Sequence, residues 1–132
     1  MKKQVFGVIV GILFLLSACS HGKTQTLEKF YQDAQIEQVD KVIIQDGSTG
    51  YYKTITKQEQ INDFLNLIKD VEFTPQTNQE ERSGWRYGIK LLDGKKEFSF
   101  TLNEIDDIYY DSTPDIHPIV ESYYKQLDDV EE

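Results

Sequence analysis

Two stretches hold residue types that could do chemistry. The first is F-L-L-S-A-C-S (14–20), where an apolar run ends at Cys19, the only cysteine in the chain. A thiolate is nucleophilic near neutral pH and forms stable thioethers, so a lone cysteine behind two small residues, Ser17 and Ala18, is a place for covalent modification. With no second cysteine, an intramolecular disulfide is impossible and the fold must be held by packing. The second stretch is D-D-I-Y-Y-D-S-T-P-D-I-H-P (106–118), which gathers Asp106, Asp107, Asp111, Asp115 and His117. That much oxygen could interest a hard cation. The D-x-D-x-D-G run with a distant glutamate is absent, however, so no metal is expected. The stretch reads instead as a strand end and a proline-punctuated helix start, capped by Asp115 or Ser112. Outside residues 20–26 the only histidine is His117, and there is no G-x-S-x-G, H-E-x-x-H or phosphate-cradling glycine run. No catalytic residue and no cofactor are expected.

Lys2 and Lys3 precede Val5 to Leu16, an uncharged apolar run of 12 residues. A bilayer span needs about 20. A basic start, a short apolar region and small residues before a cut have the build of an export signal. Leu16, Ser17, Ala18 and Cys19 resemble the lipobox of bacterial lipoproteins, L-[AS]-[AG]-C. The resemblance implies a diacylglyceryl thioether on Cys19 and cleavage before it, with Cys19 left as the lipidated N-terminus. It divides the chain into a signal peptide (1–18), a lipidated cysteine with a polar tether (19–26), and an extracytoplasmic domain (27–132). The implied location is the outer face of the cell membrane. Two acyl chains anchor firmly where one gives only marginal binding.

The chain carries 14 basic and 23 acidic side chains, a net charge of -9. Lys2 and Lys3 would leave with the signal, which takes the mature chain to -11. Such a domain repels nucleic acid and anionic lipid and favours cationic partners. Tyrosines occur in adjacent pairs, Tyr51–Tyr52, Tyr109–Tyr110 and Tyr123–Tyr124. On a strand, neighbours point to opposite faces, so one ring of a pair should be exposed. Tyr51, Tyr52, Tyr109 and Tyr110, with Asp107 and Asp111, are therefore the expected binding surface. Its partner would be a cationic peptide or an envelope protein.

These residues need a frame. Leu27, Phe30 and Tyr31 permit a short opening helix. V-D-K-V-I-I-Q (39–45), D-G-S-T-G and Y-Y-K-T-I-T form a hairpin. Thr56 and Glu59 have the spacing of a capping box before Ile61, Phe64, Leu65 and Ile68, which predicts a helix over 57–70. Residues 71–75 read as a strand, and 76–84 as a polar loop. In the stretch from Trp85 to Leu102, a two-residue turn at Asp93-Gly94 pairs Leu92 with Lys95. Ile89 then faces Phe98, Tyr87 faces Phe100 and Trp85 faces Leu102, six residues on one apolar face. Asn103-Glu104 turns the chain into another strand. A final helix runs over 118–127, with Pro118 in its first turn. The fold class is α+β, a single domain with a largely antiparallel sheet of about five strands packed against two helices. The expected core is Ile43 or Ile44, Ile55, Phe64, Leu65, Ile68, Trp85, Tyr87, Ile89, Phe98, Phe100 and Leu102.

Over 36–127 this layout resembles small lipoproteins of Gram-positive bacteria, of the YhfM-like lipoprotein domain type. The resemblance carries no catalytic residue across. Lantibiotic-immunity lipoproteins, which intercept cationic peptides at the surface, are a related likeness. The implied function is a membrane-anchored, non-enzymatic binding domain. The alternatives are an immunity or sequestering protein for cationic peptides, and an envelope assembly factor.

Overall fold

Short β-branched runs separated by turn residues build most of this chain. The computed structural model describes residues 23–127. The signal segment, Leu16, Ser17, Ala18, Cys19 and the acidic tail from 128 lie outside the described residues. In chain order the elements are β1 (Gln25–Thr26), α1 (Leu27–Asp33), β2 (Lys41–Asp46), β3 (Tyr52–Ile55), α2 (Gln58–Ile68) and β4 (Glu72–Pro75). Then come β5 (Tyr87–Asp93), β6 (Lys96–Thr101), β7 (Glu104–Ile105), β8 (Ile108–Thr113) and α3 (Ile116–Gln126). The strands form one antiparallel sheet in the order β1-β4-β8-β7-β6-β5-β2-β3. The class is α+β as expected, but the sheet has eight strands rather than about five. Two of the extra strands, β1 and β7, are two residues long. Alternation cannot announce a strand that short.

Helices α1, α2 and α3 lie on one face of the sheet. Ile61, Phe64 and Ile68 of α2 are completely buried, as their i, i+3, i+7 spacing requires. Ile116, Val120 and Tyr124 of α3 and Leu27 and Tyr31 of α1 join them. They meet Val42, Ile44, Ile55, Phe73, Tyr87, Ile89, Leu91, Phe98, Phe100 and Ile105 from the sheet in one cluster. Each fully buried large side chain there contributes roughly 1.5–3 kcal/mol. Burial pushes the Tyr31 hydroxyl up to about 12, helped by Glu28 and Asp70. Leu65 only borders the core, and Ile43 faces away from it while Ile44 faces in.

The helix ends differ in detail from expectation. Lys57, not Thr56, is the N-cap of α2, and no side chain caps it, so the capping box does not form. Gln58 holds the entry instead, donating to the Val39 carbonyl and to Asn62 Oδ1. Helix α3 starts at Ile116, with both expected caps in use: Ser112 Oγ accepts from the Ile116 N–H and Asp115 Oδ1 from the His117 N–H. Pro118 falls in the first turn, where an N–H has no partner to lose.

The β5–β6 turn is shifted by one residue. Asp93 pairs with Lys96, and Gly94 and Lys95 make the turn, with Gly94 in the left-handed region at φ 62°. Leu91 therefore faces Phe98 and Ile89 faces Phe100. Partners slip by two residues, so every side chain keeps its expected face. The Asp93 carboxylate also anchors the chain ahead of β2, where its Oδ2 accepts from the Gln38 and Glu37 N–H groups. Those two bonds, aided by Lys96, hold its carboxyl below the usual range.

Trp85 is the main departure. It precedes β5 rather than belonging to it, it is 43% exposed, and it sits on the opposite face from Tyr87 and Phe100. Gly84, at φ 86°, lets the chain turn before Trp85. Trp85 is thus not a core residue.

Candidate binding groove

The face of the sheet opposite α1, α2 and α3 is formed by the side chains that alternate with the core. Across it, Tyr52, Gln45, Gly88, Thr101 and Glu104 pair in one continuous row over five strands. Ile43, Lys90 and Ser99 form the next row. Gly88 contributes no side chain, so the middle of the first row is a trench. The Trp85 indole fills one side of it. A Cβ on Gly47 would come 2.7 Å from Trp85 Cε3 and would also strike the Trp85 carbonyl oxygen, and one on Gly88 would sit 3.4 Å from Cζ3. The ring therefore lies on a platform of two glycines, which its close approach requires. Gly47 donates its N–H to the Arg86 carbonyl at 2.7 Å, which fixes this approach.

The groove that results has a volume of about 750 Å³. Trp85 and Tyr52, 43% and 42% exposed, supply its aromatic wall. Glu104, Asp106 and Asp107 supply the acidic wall. Asp106 and Asp107 are the two central residues of the β7–β8 turn, at φ 51° and 68°. Both positions are left-handed, a conformation in which aspartate and asparagine are the tolerated alternatives to glycine. Among the described residues none of these three carboxylates has a cationic partner within ion-pair distance. Among the described residues the one cation lining the groove, Lys90, is turned to Glu97 at 3.6 Å. On the floor, Thr101 Oγ1 is buried without a hydrogen-bond partner among the described residues.

The segment 76–86 straps across this same face to deliver Trp85, and Tyr109 is the peg that holds it. The Gln79 side-chain amide accepts from the Tyr109 N–H (2.8 Å) and donates to its carbonyl (2.9 Å). The Arg82 N–H donates to the Tyr109 hydroxyl, and the Arg82 guanidinium lies 4.2 Å over the ring. Arg82 also ties the strap to itself through Gln76 Oε1 and the Asn78 carbonyl.

The residues expected to form a binding surface are therefore divided. Tyr52 and Asp107 line the groove. Tyr51 is the most exposed of the large hydrophobic side chains, at 74%, and lies beside the groove rather than in it. Tyr109 and Tyr110 do point to opposite faces, but both are buried. Tyr109 is covered by the strap, and Tyr110 packs edge-on against Phe30 and Phe73. Burial, and then the nearby Asp106 charge, raise the Tyr110 hydroxyl above its ordinary range. Asp111 accepts from Gln76 Nε2 and borders a second cavity, of about 550 Å³, shared by Trp85, Tyr110, Ser112 and His117.

The acidic stretch does not converge. Asp106 and Asp107 sit in a turn at the groove, Asp111 faces the strap and Asp115 caps α3. Among the described residues no group of three or more histidine, cysteine or acidic side chains is placed to hold a metal ion. His117 lies beside Tyr87, ring centroids 5.9 Å apart, and Ser112 spends its Oγ on capping.

Sequence patterning did not identify Trp85, Gln45 or Glu104 as parts of a site, and it singled out Asp106 only as an oxygen ligand for a cation. The available signal was the S-G-W stretch, in which glycine breaks strand geometry immediately before the only tryptophan. Among the described residues no helix is long and apolar enough to cross a membrane. No family model matches the chain, and comparison with curated proteins and with solved structures returned no significant match.

Proposed function

We propose that this protein is a lipid-anchored cell-envelope lipoprotein whose folded domain is a non-enzymatic binding module working at the extracytoplasmic face of the membrane. The anchor rests on the sequence: Lys2 and Lys3, the short apolar run, and Leu16-Ser17-Ala18-Cys19 ahead of a polar segment. The module rests chiefly on one structural observation, the sheet face that, among the described residues, no helix covers. A sheet normally buries the face it packs and wets the other. Here the uncovered face carries a large groove and two part-exposed aromatic rings. Such rings offer a large contact area with little side-chain entropy to lose.

Two measurements on cells test this. Labelled palmitate should enter the wild-type protein and remain with the membrane fraction. Cys19→Ala should take up no label and leave that fraction. A photoactivatable residue in place of Tyr52 should cross-link to an envelope component. The same residue at Leu67, half-exposed on the far side of α2, should not. Palmitate incorporation unaffected by Cys19→Ala removes the anchor, and equal capture at both positions removes the groove as the binding surface.

A further inference from the structure

Within that binding reading, on which this inference rests, we propose that the groove takes a cationic peptide segment. An arginine side chain of the segment lies on the Trp85 indole while Glu104, Asp106 and Asp107 balance its charge. Three features of the groove converge on such an occupant. The indole is backed by Gly47 and Gly88, so the ring is held flat and cannot retreat when a ligand presses on it. Tryptophan is the best aromatic partner for a cation, and a planar guanidinium can stack on it while its in-plane donors stay free for carboxylates. The three carboxylates have no cationic partner among the described residues, and Lys90 is already paired with Glu97. The wall is thus left with uncompensated negative charge, which a neutral or acidic segment would not relieve.

Lysine would be held less well than arginine, because a compact ammonium has no flat face for the indole and is more strongly hydrated. An extended segment suits the trench, whose row of paired residues from Tyr52 to Glu104 crosses five strands. The unpartnered Thr101 hydroxyl on the floor is available to a backbone donor or acceptor of that segment once the floor adjusts to it.

The chain's only tryptophan is in the groove, so its fluorescence reports occupancy directly. The full-length protein in detergent micelles would be titrated with tetra-arginine amide, tetra-lysine amide and an uncharged tetra-glutamine amide. Tetra-arginine should change the Trp85 emission saturably and bind more tightly than tetra-lysine, and tetra-glutamine should give no change. Neutralising the wall in the triple variant Glu104→Gln, Asp106→Asn, Asp107→Asn should weaken tetra-arginine binding by about tenfold and remove most of its salt dependence. Asparagine accepts the left-handed positions of the turn, so this variant keeps the fold, which an unchanged melting temperature would verify. Calorimetry with Trp85→Ala should show tetra-arginine binding lost. A response to tetra-glutamine equal to that for tetra-arginine overturns the cationic occupant and leaves the groove as a binding site. Tetra-arginine binding that survives both Trp85→Ala and the triple variant overturns the groove itself, as does no response to any peptide.

Discussion

The two faces of the sheet are made from the same strands, residue by residue in alternation, yet they behave as different materials. On the helix-covered face, Phe73 touches Phe30 and Tyr110 edge-on and Phe64 packs against Tyr123, and large apolar side chains there reach complete burial. On the other face the rows run through tyrosine, glutamine, glycine, threonine, lysine and serine, and one of its two part-exposed rings, Trp85, is borrowed from a strap outside the sheet. Stability is concentrated on the first face. The second holds side chains that are positioned without being consumed by packing. Backbone pairing is common to both, so the difference lies entirely in what each side chain meets beyond its own strand.

The largest effect that would sharpen this comparison is a core truncation. Phe73→Ala removes a completely buried ring in contact with α1 and β8, and should cost about 3–5 kcal/mol in chemical denaturation. A loss under about 1 kcal/mol would mean that the covered face does not carry the fold. Gly47→Ala should come next. The added methyl strikes the Trp85 carbonyl and ring, so a penalty of about 1–3 kcal/mol is expected. It should be accompanied by greater quenching of Trp85 fluorescence by a soluble quencher as the ring is lifted. Unchanged quenching would show that the glycine platform does not hold the indole. Trp85→Ala should be the mildest, about 1 kcal/mol or less, because the ring is 43% exposed and lies outside the core. If it destabilised the protein as much as Phe73→Ala, the distinction between a stabilising face and a presenting face would collapse.

What could be read in advance divides along the same line. The helix over 58–68 was legible because Ile61, Phe64 and Ile68 repeat within a local period set by helix geometry alone. The faces of β5 and β6 were legible even though the turn between them was misplaced by one residue. Their period is two, and the resulting slip was also two. Tyr109 was not legible as a peg. Its burial comes from Gln79 and Arg82, some thirty residues away in sequence and adjacent only once the strap has crossed the sheet. The Asp106-Asp107 turn was missed because aspartate is compatible with both a strand end and a left-handed turn, and nothing local chooses between them.

The sequence by itself determined the α+β class, the apolar faces of the longer strands and helices, the acidic balance, and the short apolar run ending at Cys19. These follow from periods of two and 3.6 residues, from counting charges and from adjacent residue types, all of which are local. Only the tertiary structure decided that Trp85 lies outside the core, that two glycines far apart in the chain seat its ring, and that Glu104, Asp106 and Asp107 share one groove with it. A groove is a relation between residues on strands that are neighbours in space and distant in the chain. That relation depends on strand order and on where one left-handed glycine turns the backbone, and neither has a periodicity to read.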